Sequence, residues 1–127
     1  MNRKMYTTET AAVSGPYSHA VEGGPFVFLS GQTAMNGIDA KEKGDITEQT
    51  MACFQHLFSV LDQAGLTADD VVKVNVYLTD MAHFEAMNAV YREQFVPPYP
   101  ARTAVAVTAL PLGADVEIEM TALRPQR

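Results

Sequence analysis

The chain has 127 residues, of which 47% are hydrophobic and 19% charged, a mixture that predicts a folded domain and excludes disorder as the main state. Nine Lys and Arg against fifteen Asp and Glu give a net charge of −6, which argues against a nucleic acid bound through its phosphates and against a membrane surface. No apolar run reaches the roughly 18 residues of a membrane span, and the single Cys53 cannot form an internal disulfide, so we expect one soluble, cytoplasmic domain over residues 1–127.

The first predicted elements are two strands joined by a tight turn. Gly and Pro at positions 23–25 separate residues 17–21 from residues 26–33, and both segments alternate or run apolar as hairpin strands do. A polar loop over residues 36–45 follows. We therefore expect a β-hairpin and then a loop that leads into a helix.

An amphipathic helix is predicted next. Asp45 or Thr47 can cap its N-terminus, and Glu48 lies three residues after Asp45, the spacing of a capping box. Gly65 can close the C-terminus. Apolar residues recur at spacings of three and four, namely Met51, Phe54, Leu57, Phe58, Leu61 and Ala64. This arc is predicted to face the core.

A strand and a second helix follow. Residues 71–78 alternate polar positions with the apolar Val72, Val74, Val76 and Leu78, which predicts a strand with one buried face. Thr79 and Asp80 can then cap a helix whose apolar stripe is Phe84, Met87, Tyr91 and Phe95. Prolines at positions 97, 98 and 100 end this helix.

Two further strands complete the predicted sheet. Residues 103–110 are apolar on both faces, as in a central strand covered on both sides, whereas residues 115–123 alternate apolar and polar positions. The order of strands, helix, strand, helix and strands predicts a two-layer α+β domain with both helices on one face of a mixed sheet. Because residues 103–110 are apolar both ways, we infer that the second face meets another subunit.

Residue types for metal or nucleophilic chemistry do not cluster in this sequence. The patterns CxxC, HExxH, GxGxxG and the P-loop are absent, so no metal site is predicted. His56 falls on the polar side of the first helix and His83 near the start of the second, so both are predicted to be solvated surface residues. Cys53 flanks the apolar arc, where an inert packed thiol is expected.

Some polar residues stand where the pattern predicts apolar ones. Asn88 lies about 40° from Phe84 on a helical wheel, inside the apolar arc of the second helix. It either serves a site or is a core amide bonded to backbone, and the sequence favours neither. Ser30 closes an apolar strand and leads into Gly31, which allows close approach of a ligand or of a neighbouring strand.

Three further side chains are candidates for a site. Arg102 follows three prolines and is expected at the edge of the core, where its cation could serve a site. The alternative is a surface or intersubunit ion pair with a partner such as Glu117. Glu117 belongs to an acidic strand face, for which simple solvation is the plainer interpretation. Tyr17 follows a Gly-Pro turn, and its phenol either closes a pocket or packs.

Taken in order, eight motifs of this chain resemble those of the RidA/YjgF family of imine and enamine deaminases. They are Gly15-Pro16-Tyr17-Ser18, Leu29-Ser30-Gly31-Gln32, Asp45-Ile46-Thr47-Glu48-Gln49-Thr50, Ala64-Gly65-Leu66, Asp70-Val71-Val72-Lys73, Met87-Asn88-Ala89-Val90-Tyr91, Tyr99-Pro100-Ala101-Arg102-Thr103 and Leu110-Pro111-Leu112-Gly113-Ala114-Asp115-Val116-Glu117-Ile118-Glu119. Their order, over nearly the whole chain, carries the resemblance.

The resemblance implies a chorismate-mutase-like fold with a six-stranded sheet, assembled as a homotrimer around a central barrel with clefts between subunits. Arg102 matches the family's arginine that binds the substrate carboxylate, and Glu117 matches its acid/base carboxylate. The remaining matches are polar, backbone or apolar cleft positions, namely Tyr17, Ser30, Gly31, Phe84 and Asn88. It implies a small carboxylate as substrate and no cofactor, and the charge and the missing motifs described above predict no nucleic acid, membrane or metal as partner.

Three positions depart from the family's pattern. Ala104 stands where well-studied members carry a cysteine, so a role for that thiol is lost and backbone contacts remain. His19 replaces a common Gln, which makes it a candidate titrating group in the cleft or a tolerated substitution. His56 stands where Asn is frequent.

The implied reaction is hydrolysis of 2-imino or enamino acids to 2-keto acids and ammonia. Arg102 would fix the carboxylate, and Glu117, ionised by the nearby cation, would act on water as general base. One alternative is deamination of a ring-cleavage product such as 2-aminomuconate. Another is a non-catalytic trimer that binds small carboxylates or regulates a partner protein. The endoribonuclease activity ascribed to some members ranks last, because the chain is acidic.

Overall fold

A computed structural model describes residues 2–13, 15–35 and 43–126 of this chain. Within these ranges the chain forms six β-strands and two α-helices. In chain order they are β1 (Met5–Tyr6), β2 (Ala20–Gly23), β3 (Phe26–Gln32), α1 (Ile46–Gln63), β4 (Val71–Leu78), α2 (Phe84–Gln94), β5 (Ala101–Ala106) and β6 (Val116–Leu123). The predicted order of elements is confirmed, with the short β1 added before the hairpin.

One mixed sheet contains all six strands, in the order β1-β2-β3-β6-β4-β5. Neighbouring strands are antiparallel except β4 and β5, which are parallel. The chain passes from β4 to β5 through α2, as a parallel pair requires. The fold is therefore of the predicted α+β class, with β6 in the interior of the sheet.

Helix α1 has the N-terminal cap that its sequence predicts. The Glu48 backbone N–H donates to Asp45 Oδ1 at 2.9 Å, and the Glu48 carboxylate accepts from the Asp45 N–H, which completes a capping box. Gly65 follows the helix at φ +75°, the left-handed conformation that glycine adopts without strain. Met51 is 48% exposed, contrary to the prediction, because it lies at the margin of the apolar arc.

Strands β4 and β6 alternate between a core face and an open face. The core face is built from Val74, Val76, Leu78, Val116, Ile118, Met120 and Ala122, which are all buried. The predicted burial of Val72 is wrong: Val72 is exposed and Val71 is buried. The pairing of β4 with β6 is irregular between Val71 and Lys73, and such a bulge reverses the alternation.

The predicted central strand over residues 103–110 is wrong. Strand β5 ends at Ala106, lies at the edge of the sheet beside β4 alone, and has most of its residues exposed. An apolar sequence pattern indicates that a strand is buried, but it does not indicate whether the residues that bury it belong to the same chain or to another. The exposed β5 is therefore a surface that a second chain can cover.

The first hairpin is confirmed, although its first strand starts later than predicted. β2 begins at Ala20, so Tyr17 lies in the segment that leads into it. The predicted loop over residues 36–45 falls largely outside the described residues. Among the described residues, no helix combines the length and the apolar character needed to cross a membrane.

Candidate active site

Two open pockets contain the polar residues that the sequence singled out. The first, here called the arginine pocket, has a volume of about 390 Å³ and is lined by Asn88, Tyr91, Arg92, Tyr99, Pro100 and Arg102. The second, here called the glutamate pocket, has a volume of about 330 Å³ and is lined by Tyr17, Ser30, Gly31, Thr33, Pro111, Glu117 and Glu119. The two pockets have no lining residue in common.

In the arginine pocket, helix α2 holds the Arg102 side chain in place. The guanidinium carbon of Arg102 lies 4.6 Å from the ring centroid of Tyr91 and 5.6 Å from that of Phe84, which are cation–π distances. Arg102 Nη1 donates to Asn88 Oδ1 at 2.5 Å. The Asn88 side-chain oxygen therefore bonds to the arginine and not to the backbone, and the Phe84 ring contacts the cation. Residues at positions 84, 88 and 91 share a helix face because they are spaced by four and three.

The guanidinium of Arg102 keeps donors for a ligand. Asn88 accepts from Nη1 and is neutral, and among the described residues no carboxylate pairs with Arg102. A guanidinium has five N–H donors in a planar fork that matches a carboxylate. The arginine pocket can therefore bind an anion.

In the glutamate pocket, Ser30 is fixed by the segment that carries Tyr17. Ser30 Oγ donates to the Ser18 carbonyl at 2.6 Å, and the Ser30 N–H donates to the His19 carbonyl at 2.9 Å. Because the hydroxyl hydrogen is used, the Ser30 oxygen faces the pocket as an acceptor. This contact places Tyr17 and Ser30 at one end of β3.

Gly31 lies against the Glu117 carboxyl group. A Cβ added to Gly31 would lie 2.9 Å from Glu117 Cδ and 3.1 Å from Cγ. The pairing of β3 with β6 is irregular between Leu29 and Gln32, so Gly31 is part of a bulge. Glycine here is what allows the Glu117 side chain to fold over the strand.

The carboxyl group of Glu117 is harder to ionise than an ordinary glutamate. Burial raises the pKa of Glu117, and the nearby charge of Glu119 raises it further. Glu119 is itself bound by Asn75 Nδ2 at 3.0 Å and by the Tyr77 hydroxyl at 2.5 Å. The expectation that a neighbouring Arg102 makes Glu117 ionise readily is therefore not met within one chain.

Arg102 and Glu117 lie on opposite faces of the sheet. Residues paired across neighbouring strands point to the same side, and Arg102 pairs with the buried Val74 on the core face. Glu117 pairs with Tyr77, which is offset from Val74 by an odd number of residues and so belongs to the open face. The predicted alternative of an Arg102–Glu117 ion pair is not formed within the chain.

Ala104 belongs to the same face as Arg102. It pairs with Val76 on the core face of β4 and packs against the hydrophobic core. Of the two pockets, neither is lined by its side chain.

The histidines and the cysteine lie outside both pockets. Cys53 is fully buried, and burial raises the pKa of its thiol, which confirms the inert packed residue. His19 is buried and lines neither pocket, and the Thr8 N–H donates to its Nδ1 at 3.2 Å. The prediction of a solvated His56 is wrong, because its Nδ1 is buried without a hydrogen-bond partner among the described residues. Those residues contain no cluster of three or more His, Cys, Asp or Glu that could hold a metal.

Several lining residues of the arginine pocket are not among the predicted site residues. Tyr91 belongs to the predicted core stripe, and it is buried there while one ring face contacts Arg102. Arg92 and Tyr99 line the arginine pocket beside it. The signal for Arg92 was its position four residues after Asn88, which places both on one helix face.

Known proteins match this chain along nearly its whole length. A family model described as Endoribonuclease L-PSP matches residues 7–124. The chain is 42% identical over 106 residues to the 2-iminobutanoate/2-iminopropanoate deaminase of Dermatophagoides farinae, covering 83% of each protein. It is also 38% identical to RidA from the Antarctic bacterium Psychrobacter sp., with a TM-score of 0.84 over 95% of this chain and 99% of that one. The chain belongs to the RidA/YjgF family.

A further RidA/YjgF structure has a ligand. It is TdcF of Escherichia coli with bound serine, 31% identical to this chain, with a TM-score of 0.85 over 96% of this chain and 99% of that one. RidA/YjgF membership thus rests on sequence and on fold together, and the predicted family is confirmed.

Proposed function

We propose that this protein hydrolyses small 2-imino or enamino carboxylic acids to 2-keto acids and ammonia, in sites shared between the chains of a homotrimer. The observation that carries the proposal is the placement of Arg102 and Glu117 in two open pockets on opposite faces of one sheet. The arginine pocket supplies the group that binds a carboxylate, and the glutamate pocket supplies the acid/base group. Two chains must therefore meet to complete a site. The named deaminase among the relatives supports the reaction, and the serine-bound relative supports a ligand with an amino-acid carboxylate.

Arg102 binds the substrate carboxylate in this proposal. Its guanidinium is held by Asn88 and by two aromatic rings before any ligand arrives, so little side-chain entropy is lost on binding. A two-point contact with the carboxylate fixes the adjacent imine carbon in position for attack. Phe84 and Asn88 act through Arg102.

Glu117 moves the proton. Its ionised carboxylate accepts a proton from water as the water oxygen bonds to the imine carbon, and it returns that proton to the nitrogen. The hydroxyl proton then passes, through Glu117, to the nitrogen as the C–N bond breaks, so that ammonia leaves and the keto oxygen remains. An enamine substrate first takes a proton on carbon and becomes the imine. The raised pKa of Glu117 brings its acid and base forms closer to neutral pH, as this double role requires.

The remaining residues of the glutamate pocket orient the water and substrate. Ser30 presents an acceptor oxygen, Tyr17 presents a phenol that is 38% exposed, and Gly31 leaves room for the carboxyl group. Ala104 contributes backbone only, because its side chain packs into the core. The reaction needs no metal or cofactor, since imines already hydrolyse slowly in water and only a modest acceleration is required.

The proposal is tested with imines generated in the assay. An amino-acid oxidase acting on 2-aminobutanoate supplies 2-iminobutanoate, and its disappearance is followed in the presence of wild type, Arg102→Ala and Glu117→Ala. We expect wild type to accelerate the decay and each substitution to lower kcat/KM by about a hundredfold or more. Glu93→Gln, on the exposed side of α2 outside both pockets, is the control and should keep wild-type activity.

Two results would contradict the proposal. One is a wild-type rate equal to that of buffer, in which case binding of small carboxylates without turnover would identify a binding module instead. The other is full activity in either variant. An endoribonuclease is not proposed, because a net charge of −6 opposes an RNA backbone.

A further inference from the structure

We propose that the arginine pocket selects substrates with two negative groups, with Arg102 binding the carboxylate next to the imine and Arg92 binding a second one. The substrate class is then the 2-imino dicarboxylic acids. The inference rests on the proposed function for the reaction, and it adds a specificity-determining residue, Arg92.

Arg92 and Arg102 line the same pocket from two different elements. Arg102 comes from β5, and Arg92 comes from α2, four residues after the Asn88 that binds Arg102. That spacing places Arg92 and Asn88 side by side on one helix face. A volume of about 390 Å³ is sufficient for a five-carbon chain that reaches from one guanidinium towards the other.

The charges of this pocket are unbalanced. Among the described residues, neither arginine forms an ion pair, and no Asp or Glu lines the pocket. The chain as a whole has six more acidic than basic residues, so two unpaired arginines at one site are not explained by a basic surface. Two cations in one pocket repel each other, and a ligand with two negative groups relieves that repulsion.

The side chains of Arg102 and Arg92 differ in their contacts, and this difference indicates which carboxylate each one binds. Arg102 is fixed by Asn88 and by stacking on Tyr91 and Phe84, so it suits the group next to the reacting carbon. The Arg92 side chain is exposed and makes no hydrogen bond or ring contact within the described part of the chain, so it can follow a second carboxylate. Tyr99, 46% exposed at the same pocket, offers a further hydroxyl donor.

The test compares 2-iminoglutarate with 2-iminobutanoate, each made in the assay by an amino-acid oxidase. We expect wild type to have the higher kcat/KM for 2-iminoglutarate. Arg92→Ala should raise KM for 2-iminoglutarate about tenfold with little change in kcat, and should change kcat/KM for 2-iminobutanoate less than about twofold. Arg92→Lys should restore part of the loss, and Glu93→Gln, the adjacent residue, should have no effect.

Equal losses for both substrates in Arg92→Ala, or a wild-type preference for 2-iminobutanoate, would overturn the inference. A second measurement separates it from the proposed reaction. Calorimetry with the unreactive keto acids should show 2-oxoglutarate binding about tenfold more tightly than 2-oxobutanoate, and Arg92→Ala should abolish the difference. If no imine is hydrolysed faster than in buffer, the proposed reaction is wrong, and the calorimetry alone then tests the role of Arg92. Equal affinity of wild type for 2-oxoglutarate and 2-oxobutanoate would refute that role.

Discussion

At the scale of single residues, the candidate site requires glycine, which has no side chain, at position 31. Glu117 occupies the space above Gly31 that any other residue would fill with its Cβ. The atoms that such a Cβ meets are the far end of a flexible side chain, not backbone. The fold can therefore accept a larger residue at position 31, whereas the position of the carboxyl group cannot be kept.

Gly31→Ala separates these two effects. We expect the thermal midpoint to fall by only a few degrees, about 4 °C or less, while the displaced carboxyl group lowers kcat of the proposed deamination about tenfold or more. In a Glu117→Ala background the obstruction is gone, so adding Gly31→Ala should cost no further activity. A loss of the same size in both backgrounds would mean that Gly31 acts independently of Glu117.

At the scale of elements, the sequence predicts what depends on local chemistry. The capping box of Asp45 and Glu48, the glycine after α1 and the alternation along β6 each follow from a short stretch of chain, and all three are confirmed. The bulge at Val71 depends on the register with β6, which the pattern of β4 alone does not contain.

The candidate site was predictable in part for the same reason. Asn88 and Arg102 were recognisable as polar residues in apolar surroundings, and they bond to each other. Arg102 and Glu117 point to opposite faces of the sheet because of the way β5, β4 and β6 pair. These strands are distant in sequence, so their pairing is not contained in a local pattern. The apolar pattern of β5 predicts a central strand, whereas β5 lies at the edge of the sheet with no further strand beside it in the same chain.

The half-buried position of His56 on α1 predicts that the stability of the fold depends on pH. Burial lowers the pKa of His56 and the nearby charge of His19 lowers it further, so the folded chain binds this proton less readily than the unfolded chain does. The stability contribution is complete above the ordinary histidine pKa of about 6.5 and is lost as the pH falls below it.

Urea unfolding at several pH values between 8 and 5 measures this dependence. We expect the free energy of unfolding of wild type to fall more steeply below about pH 6.5 than that of His56→Gln, which keeps polar side-chain atoms and has no proton to gain. Glu117, with its raised pKa, contributes with the opposite sign in both proteins, so their difference isolates His56. Identical slopes in the two proteins would contradict the assignment.

At the scale of the whole molecule, a site shared between chains, as proposed, predicts that two inactive variants complement each other. Arg102→Ala keeps an intact Glu117, and Glu117→Ala keeps an intact Arg102. Mixed at equal amounts by unfolding and refolding together, they should assemble randomly and regain about a quarter of the wild-type activity. Size-exclusion chromatography with light scattering should give three times the 13.8 kDa chain mass. No recovery of activity in mixed trimers would mean that both residues of a site come from one chain.

The placement of Arg102 and Glu117 on opposite faces of the sheet has a further consequence for the proposed shared site: its activity would depend on dilution. A chain with a complete site of its own has the same turnover number at any concentration. A chain that supplies two separate halves turns over substrate only while assembled, so activity per milligram falls once the protein is diluted below the dissociation constant of the assembly. In a cell, expression would then act as a threshold: small amounts of this protein would give disproportionately little of the proposed activity, and a doubling near that threshold would more than double it.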